Sequence, residues 1–126
     1  MLIATLALAA AQPAPEQPVG DEIVVISRKL ESWRGSWRLR DGAVTCKTRR
    51  STGDKAIDAV GCDAMVSCIG PLAPRFAEIE ASKADKAEMQ RQADAMLEGA
   101  RIGECLTARR EAGIAALAEA RRSERS

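Results

Sequence analysis

Three cations punctuate the stretch WRLRDGAVTCK, Trp37 to Lys47: they are Arg38, Arg40 and Lys47. Arg49 and Arg50 follow just beyond it. Guanidinium groups offer rigid, paired donors that match phosphate and carboxylate oxygens, so these five residues form a candidate anion-binding surface. Trp33, next to Arg34, is a candidate exposed anchor for a partner or a lipid interface. Trp37 is expected in the core. The competing reading of the cations is a sheet face that meets water, or one covered by acidic helices.

Other chemistry is sparsely provided for. The chain has no histidine and no tyrosine. Histidine triads, histidine metal sites and tyrosine acid–base chemistry are therefore excluded. No glycine-rich phosphate loop and no S-x-x-K spacing occurs. Ser51 to Lys55, STGDK, reads as a loop followed by a helix cap. Asp54 with Asp58, and Glu78 with Asp85, are carboxylate pairs at helical spacing, for which solvated acids are the simpler reading. No cofactor is expected, and whether the chain is an enzyme stays open with a lean against it.

Four cysteines, Cys46, Cys62, Cys68 and Cys105, stand at intervals of 16, 6 and 37 residues with no C-x-x-C pair. A zinc site would need all four thiolates. In a small chain with an export-like start, two disulfides are the expected outcome. Sequence alone allows three pairings. Cys62 and Cys68 lie close together, so each is expected to bridge outward, and the preferred set is Cys46–Cys62 with Cys68–Cys105. Staples matter here because residues 12–126 hold just 20 Leu, Ile, Val and Phe, a thin core for a domain of this size.

The elements that position these residues can be read along the chain of 126 residues. Residues 1–11 form a signal-like segment: an apolar run from Leu2 to Ala11, an A-x-A pattern at Ala9 and Ala11, and no Lys or Arg ahead of it. The signal is then either weak or continues further upstream. Residues 12–20 read as a Pro-rich tether, 21–122 as a single domain and 123–126 as a frayed tail. No second apolar run is expected to cross a bilayer. The net charge of +1 argues against a nucleic-acid partner. The charge is uneven: Arg28 to Lys55 carries nine basic and three acidic residues, and Glu78 to Glu104 seven acidic and four basic.

Glu22 to Ile26, EIVVI, reads as a first strand. Asp41-Gly42 is a two-residue hairpin turn. It sets Arg40 opposite Ala43, Leu39 opposite Val44, Arg38 opposite Thr45 and Trp37 opposite Cys46. Trp37, Leu39, Val44 and Cys46 then share one face, and Arg38, Arg40, Thr45 and Lys47 the other. Gly35 marks a bulge. Asp54 caps a short helix, Lys55 to Val60, ended by Gly61; Asp63 caps another, Ala64 to Ile69. Pro74 sits in the first turn of the next helix. Ser82 to Asp85, SKAD, has capping-box spacing and signals a restart. Met89, Ala93, Met96, Leu97 and Ala100 form one apolar stripe, ended by Gly99 or Gly103. A last helix runs from Cys105 or Leu106. The fold class is α+β: a small N-terminal antiparallel hairpin or sheet followed by a helical C-terminal half, with two disulfides.

The combination DEIVVISRKL, W-R-x-x-W-R, C-K-T, S-T-G-D, G-C-x-A-M-x-x-C, P-x-x-P-R-F and A-R-R-E-A-G-I-A-A-L, spanning Asp21 to Arg122, resembles small uncharacterised exported proteins of Gram-negative bacteria with four cysteines. The resemblance carries no activity and transfers no functional residue. EIVVIS also resembles the segment that begins the mature part of some outer-membrane receptors, with Ile26-Ser27 in place of their Thr-Gly. The function expected is that of a non-enzymatic periplasmic or cell-envelope accessory protein. Its partner would be an envelope protein, an anionic lipid or lipopolysaccharide, met through the basic hairpin face. A small envelope hydrolase or enzyme inhibitor, and a structural subunit of an envelope assembly, are the alternatives. The oligomeric state is left open.

Overall fold

The computed structural model describes residues 19–125. The signal-like segment and most of the tether lie outside the described residues. The architecture is α+β: a two-stranded antiparallel sheet and a helical C-terminal half, braced by two disulfides. In chain order the elements are α1 (Val19–Glu31), β1 (Arg34–Arg40), β2 (Ala43–Arg50) and α2 (Lys55–Ile69). One turn of 3₁₀ helix (Gly70–Leu72) then leads to α3 (Ala73–Ala81), α4 (Lys86–Gly99) and α5 (Ile102–Glu124).

The first element corrects the sequence reading. EIVVI is part of a helix, not a strand. Four β-branched residues in succession, Ile23 to Ile26, suggest a strand when read alone. Over the full stretch, Ile23, Ile26 and Leu30 recur at helical spacing, and Ile26 and Leu30 are buried. Val24 and Val25 are about half exposed. Asp21 and Glu22 in the first turn and Arg28 and Lys29 in the last oppose the helix dipole favourably. Packing of the 3.6-residue stripe overrides the local β preference.

The hairpin forms in the expected register, with Arg40 opposite Ala43 and Trp37 opposite Cys46. Asp41 and Gly42 have φ of 50° and 81°, the signs a primed turn requires. The register slips between Arg34 and Gly35, which is the bulge read from Gly35.

Gly61 and Asp63 end or cap nothing. Both lie inside the unbroken helix α2. The reason is Trp33, whose six-membered ring lies over Gly61 so closely that a Cβ there would sit 2.7 Å from it. A Cβ at Gly35 would meet the same ring at 2.3 Å. Both glycines are required by close approach. Asp54 caps α2 as expected, accepting from Ala56 N and Ile57 N. At the restart before α4 the break is where SKAD places it, but the cap is Asp85, which accepts from Glu88 N at 2.8 Å. Ser82 instead closes α3 by donating to Ile79 O.

Helix α5 continues to Glu124. Arg125 Nη2 lies 2.6 Å from Glu22 Oε1, tying this end to α1.

The core has two centres. One joins α1, α2 and α5 through Ile26, Leu30, Trp33, Ile57, Ile114 and Ala118. The other joins the hairpin to α3 and α4 through Val44, Ile69, Ala73, Phe76 and Met96. The disulfides follow the preferred pairing: Cys46–Cys62 links β2 to α2, and Cys68–Cys105 links α2 to α5. Disulfides of this kind belong to an oxidising, non-cytoplasmic compartment.

The stretch Lys55–Ala81 reaches a mean hydropathy of 1.4 and is long enough to span a bilayer by composition, contrary to the sequence reading. Here it is folded as α2, the 3₁₀ turn and α3. It supplies Ile57, Val60, Ile69 and Phe76 to the core.

Candidate functional site

The sheet alternation sorts the hairpin's side chains onto two faces. Trp37, Leu39 and Val44 turn toward α3 and α4. Arg38, Arg40, Thr45 and Lys47 are exposed on the opposite side. Ser36 pairs with Lys47 and Arg38 with Thr45 across the strands, so the cations stand in a staggered cluster. A hollow of about 350 Å3 is lined by Ser36, Arg38, Arg40, Thr45, Cys46 and Lys47. Ser36 was not singled out from sequence, although it shares the parity of Arg38. Its hydroxyl accepts from Arg49 Nε at 2.8 Å, which fixes Arg49 at the edge of the cluster. Arg50 is exposed at the far end of β2, opposite Arg34 beyond the bulge.

Among the described residues, no carboxylate pairs with Arg38, Arg40, Lys47, Arg49 or Arg50. The acidic half does not cover this face. Two of its carboxylates pair with near neighbours in the chain, Glu88 with Arg91 and Glu104 with Arg101. Hydrogen bonds from Gln92 and Arg91 hold Glu88 below its ordinary pKa.

Trp33 is corrected. It is 4% exposed and cannot act as a surface anchor. Its indole Nε1 donates to Thr48 Oγ1 at 3.0 Å. The Arg110 guanidinium lies 5.8 Å from the ring centroid, a cation–π contact. Parity with Trp37 was the available signal, and the break at Gly35 weakened it.

The STGD loop is a cap and a brace. Asp58 accepts from the Ser51 hydroxyl, from Thr52 N at 2.8 Å and from Thr52 Oγ1 at 2.7 Å. The Ser51 hydroxyl, with these Thr52 bonds, lowers its pKa from the usual value. Asp54 accepts from Arg121 Nη2 at 2.5 Å, and this bond, aided by the α2 N-terminal amides, lowers its pKa despite partial desolvation. Each acid is consumed by structure rather than held as an acid–base pair. Asp85 is likewise a cap. Among the described residues, no group of three or more Cys, Asp or Glu side chains converges to hold a metal ion.

A second depression, of about 290 Å3, lies beside β1. Trp37, Leu39, Phe76, Ile79, Met89 and Ala93 give it an apolar floor, and Arg38, Glu80, Lys86 and Gln90 complete the lining. Trp37 and Phe76 stack there at 4.6 Å between ring centroids, tilted by 52°. This cleft was not visible in the sequence, because it joins residues from β1, α3 and α4.

No known family matches the chain, and neither a curated protein nor a solved structure matches it.

Proposed function

We propose that this protein is a non-enzymatic accessory protein of the Gram-negative periplasm or cell envelope that binds anionic groups through the outer face of its hairpin. The observation that carries the reading is the cluster Arg38, Arg40 and Lys47, exposed around one hollow and without a carboxylate partner among the described residues. Uncompensated cations on one small face repel one another, and an anionic ligand relieves that repulsion. The envelope offers such oxygens as lipid phosphates, lipopolysaccharide phosphates and protein carboxylates. Export is supported by the apolar run Leu2 to Ala11 and by the two disulfides. Catalysis finds no support in Asp54 and Asp58, which are occupied as a cap and a brace.

The test is co-sedimentation of the oxidised protein with washed Gram-negative envelopes at low ionic strength. The wild type is expected to sediment, to be released by salt, and to lose most binding when Arg38, Arg40 and Lys47 are all replaced by Glu. Equal sedimentation of the wild type and the triple variant would sink the reading.

A further inference from the structure

Among the described residues the hairpin is a sheet of two strands, so each strand has an edge without a sheet neighbour there. In an antiparallel pair the residues alternate between those that exchange both backbone bonds and those that exchange none. A two-residue turn makes its flanking pair, Arg40 and Ala43, an exchanging one. Counting back, Leu39 and Trp37 are the non-exchanging residues of β1. Their N–H and C=O groups point away from β2. No backbone bond from elsewhere among the described residues reaches them.

The apolar cleft lies along this same edge. It is lined by Trp37, Arg38 and Leu39 of β1, by α3 and α4, and by no residue of β2. An extended chain laid beside β1 would pair with Trp37 and Leu39 through its backbone. Alternate side chains would turn into the cleft over Phe76 and Met89. The others would turn outward, next to Arg38 and Arg40.

Charge decides the occupant. β1 carries Arg34, Arg38 and Arg40 and no acid. Two copies joined edge to edge would set these arginines against each other, which disfavours self-pairing. A strand with acids on its outward positions would answer them. We propose that the free edge of β1 and the cleft beneath it accept, as a third strand, an extended segment of a partner protein in which acidic residues alternate with apolar ones. This rests on the anion-binding reading of the hairpin face and adds to it the partner's class and conformation.

The probe is a capped heptapeptide alternating Asp or Glu with Val or Leu, compared with a peptide of the same composition whose acids are all at one end. The oxidised full chain is used, and the envelope sedimentation is run beside it. The alternating peptide is expected to bind at least about tenfold more tightly and to slow amide exchange at Trp37 and Leu39 selectively. Met89→Glu, which charges the cleft and leaves every hairpin cation in place, is expected to cost about tenfold in affinity for the alternating peptide. The amide readout on the wild type stands even if that variant folds poorly. Equal binding of both peptides, with Trp37 and Leu39 amides unprotected, would overturn strand addition and leave the anion-binding reading intact. Binding to envelopes but to neither peptide would overturn it in favour of lipid phosphate. Binding to no anionic probe would remove both proposals.

Discussion

Two tryptophans four residues apart, Trp33 and Trp37, occupy opposite kinds of site. Trp33 is enclosed: Gly35 and Gly61 leave it room, Thr48 satisfies its indole nitrogen, and Arg110 covers it. Around it stand α1, α2 and α5, and the Cys46–Cys62 disulfide is adjacent, with Met65 Sδ 3.7 Å from Cys46 Sγ. Trp37 is half-buried against Phe76 and opens onto the cleft beside β1. The same residue type is enclosed just before β1 and forms the wall of an open groove in the middle of it. Stability should concentrate around the first and binding around the second.

The largest expected effect tests that division directly. Trp33→Ala should cost about 3–5 kcal/mol in urea unfolding. Trp37→Ala should cost roughly half as much, since its ring is half-buried. Equal losses would break the comparison.

Next come the staples. Replacing both Cys68 and Cys105 by Ser should cost about 3–4 kcal/mol from the loop it opens. Replacing both Cys46 and Cys62 should cost slightly less, because the loop spans 16 rather than 37 residues. Thermal unfolding of the two double variants ranks them.

The glycines give a change of sign. Gly61→Ala should destabilise by about 1–3 kcal/mol, because its Cβ strikes the Trp33 ring. Gly103→Ala, in the first turn of α5 with nothing within 4 Å, should stabilise by about 0.4–1 kcal/mol. Gly61→Ala without cost would mean that Trp33 is free to move.

The smallest effect is acid-dependent. Asp54 has a folded pKa below its ordinary 3.8, so between the two values the unfolded chain binds more protons and stability rises with pH. The contribution is complete above 3.8 and is lost as pH falls through the folded value. Arg121→Gln should flatten that acid limb and leave the stability difference nearly constant above pH 5, by about 1 kcal/mol or less. An unaltered slope below pH 4 would assign the shift to the α2 amides instead.

Much of the frame was legible in the residues themselves. Asp41-Gly42 fixed the hairpin register because few other pairs tolerate positive φ in succession. Asp54, Pro74 and the break before Lys86 marked helix ends through local chemistry. The even cysteine count and the closeness of Cys62 to Cys68 led to the pairing observed. Each of these signals acts within a few residues, or through a residue type with a narrow set of roles.

What the sequence hid depends on distant contacts. EIVVI is β-prone over five residues and helical over thirteen, and burial of Ile26 and Leu30 against α2 and α5 decides between them. Gly61 resembles a helix stop until Trp33, 28 residues earlier in the chain, is seen to need the space. The cations of the hairpin were evident, but their freedom from acids depended on where α3 and α4 turned their carboxylates. The cleft beside β1 exists in no single segment. Local chemistry determined where this chain turns, caps and cross-links; tertiary packing alone decided which surfaces close and which stay open, because burial is a property of what lies across the fold.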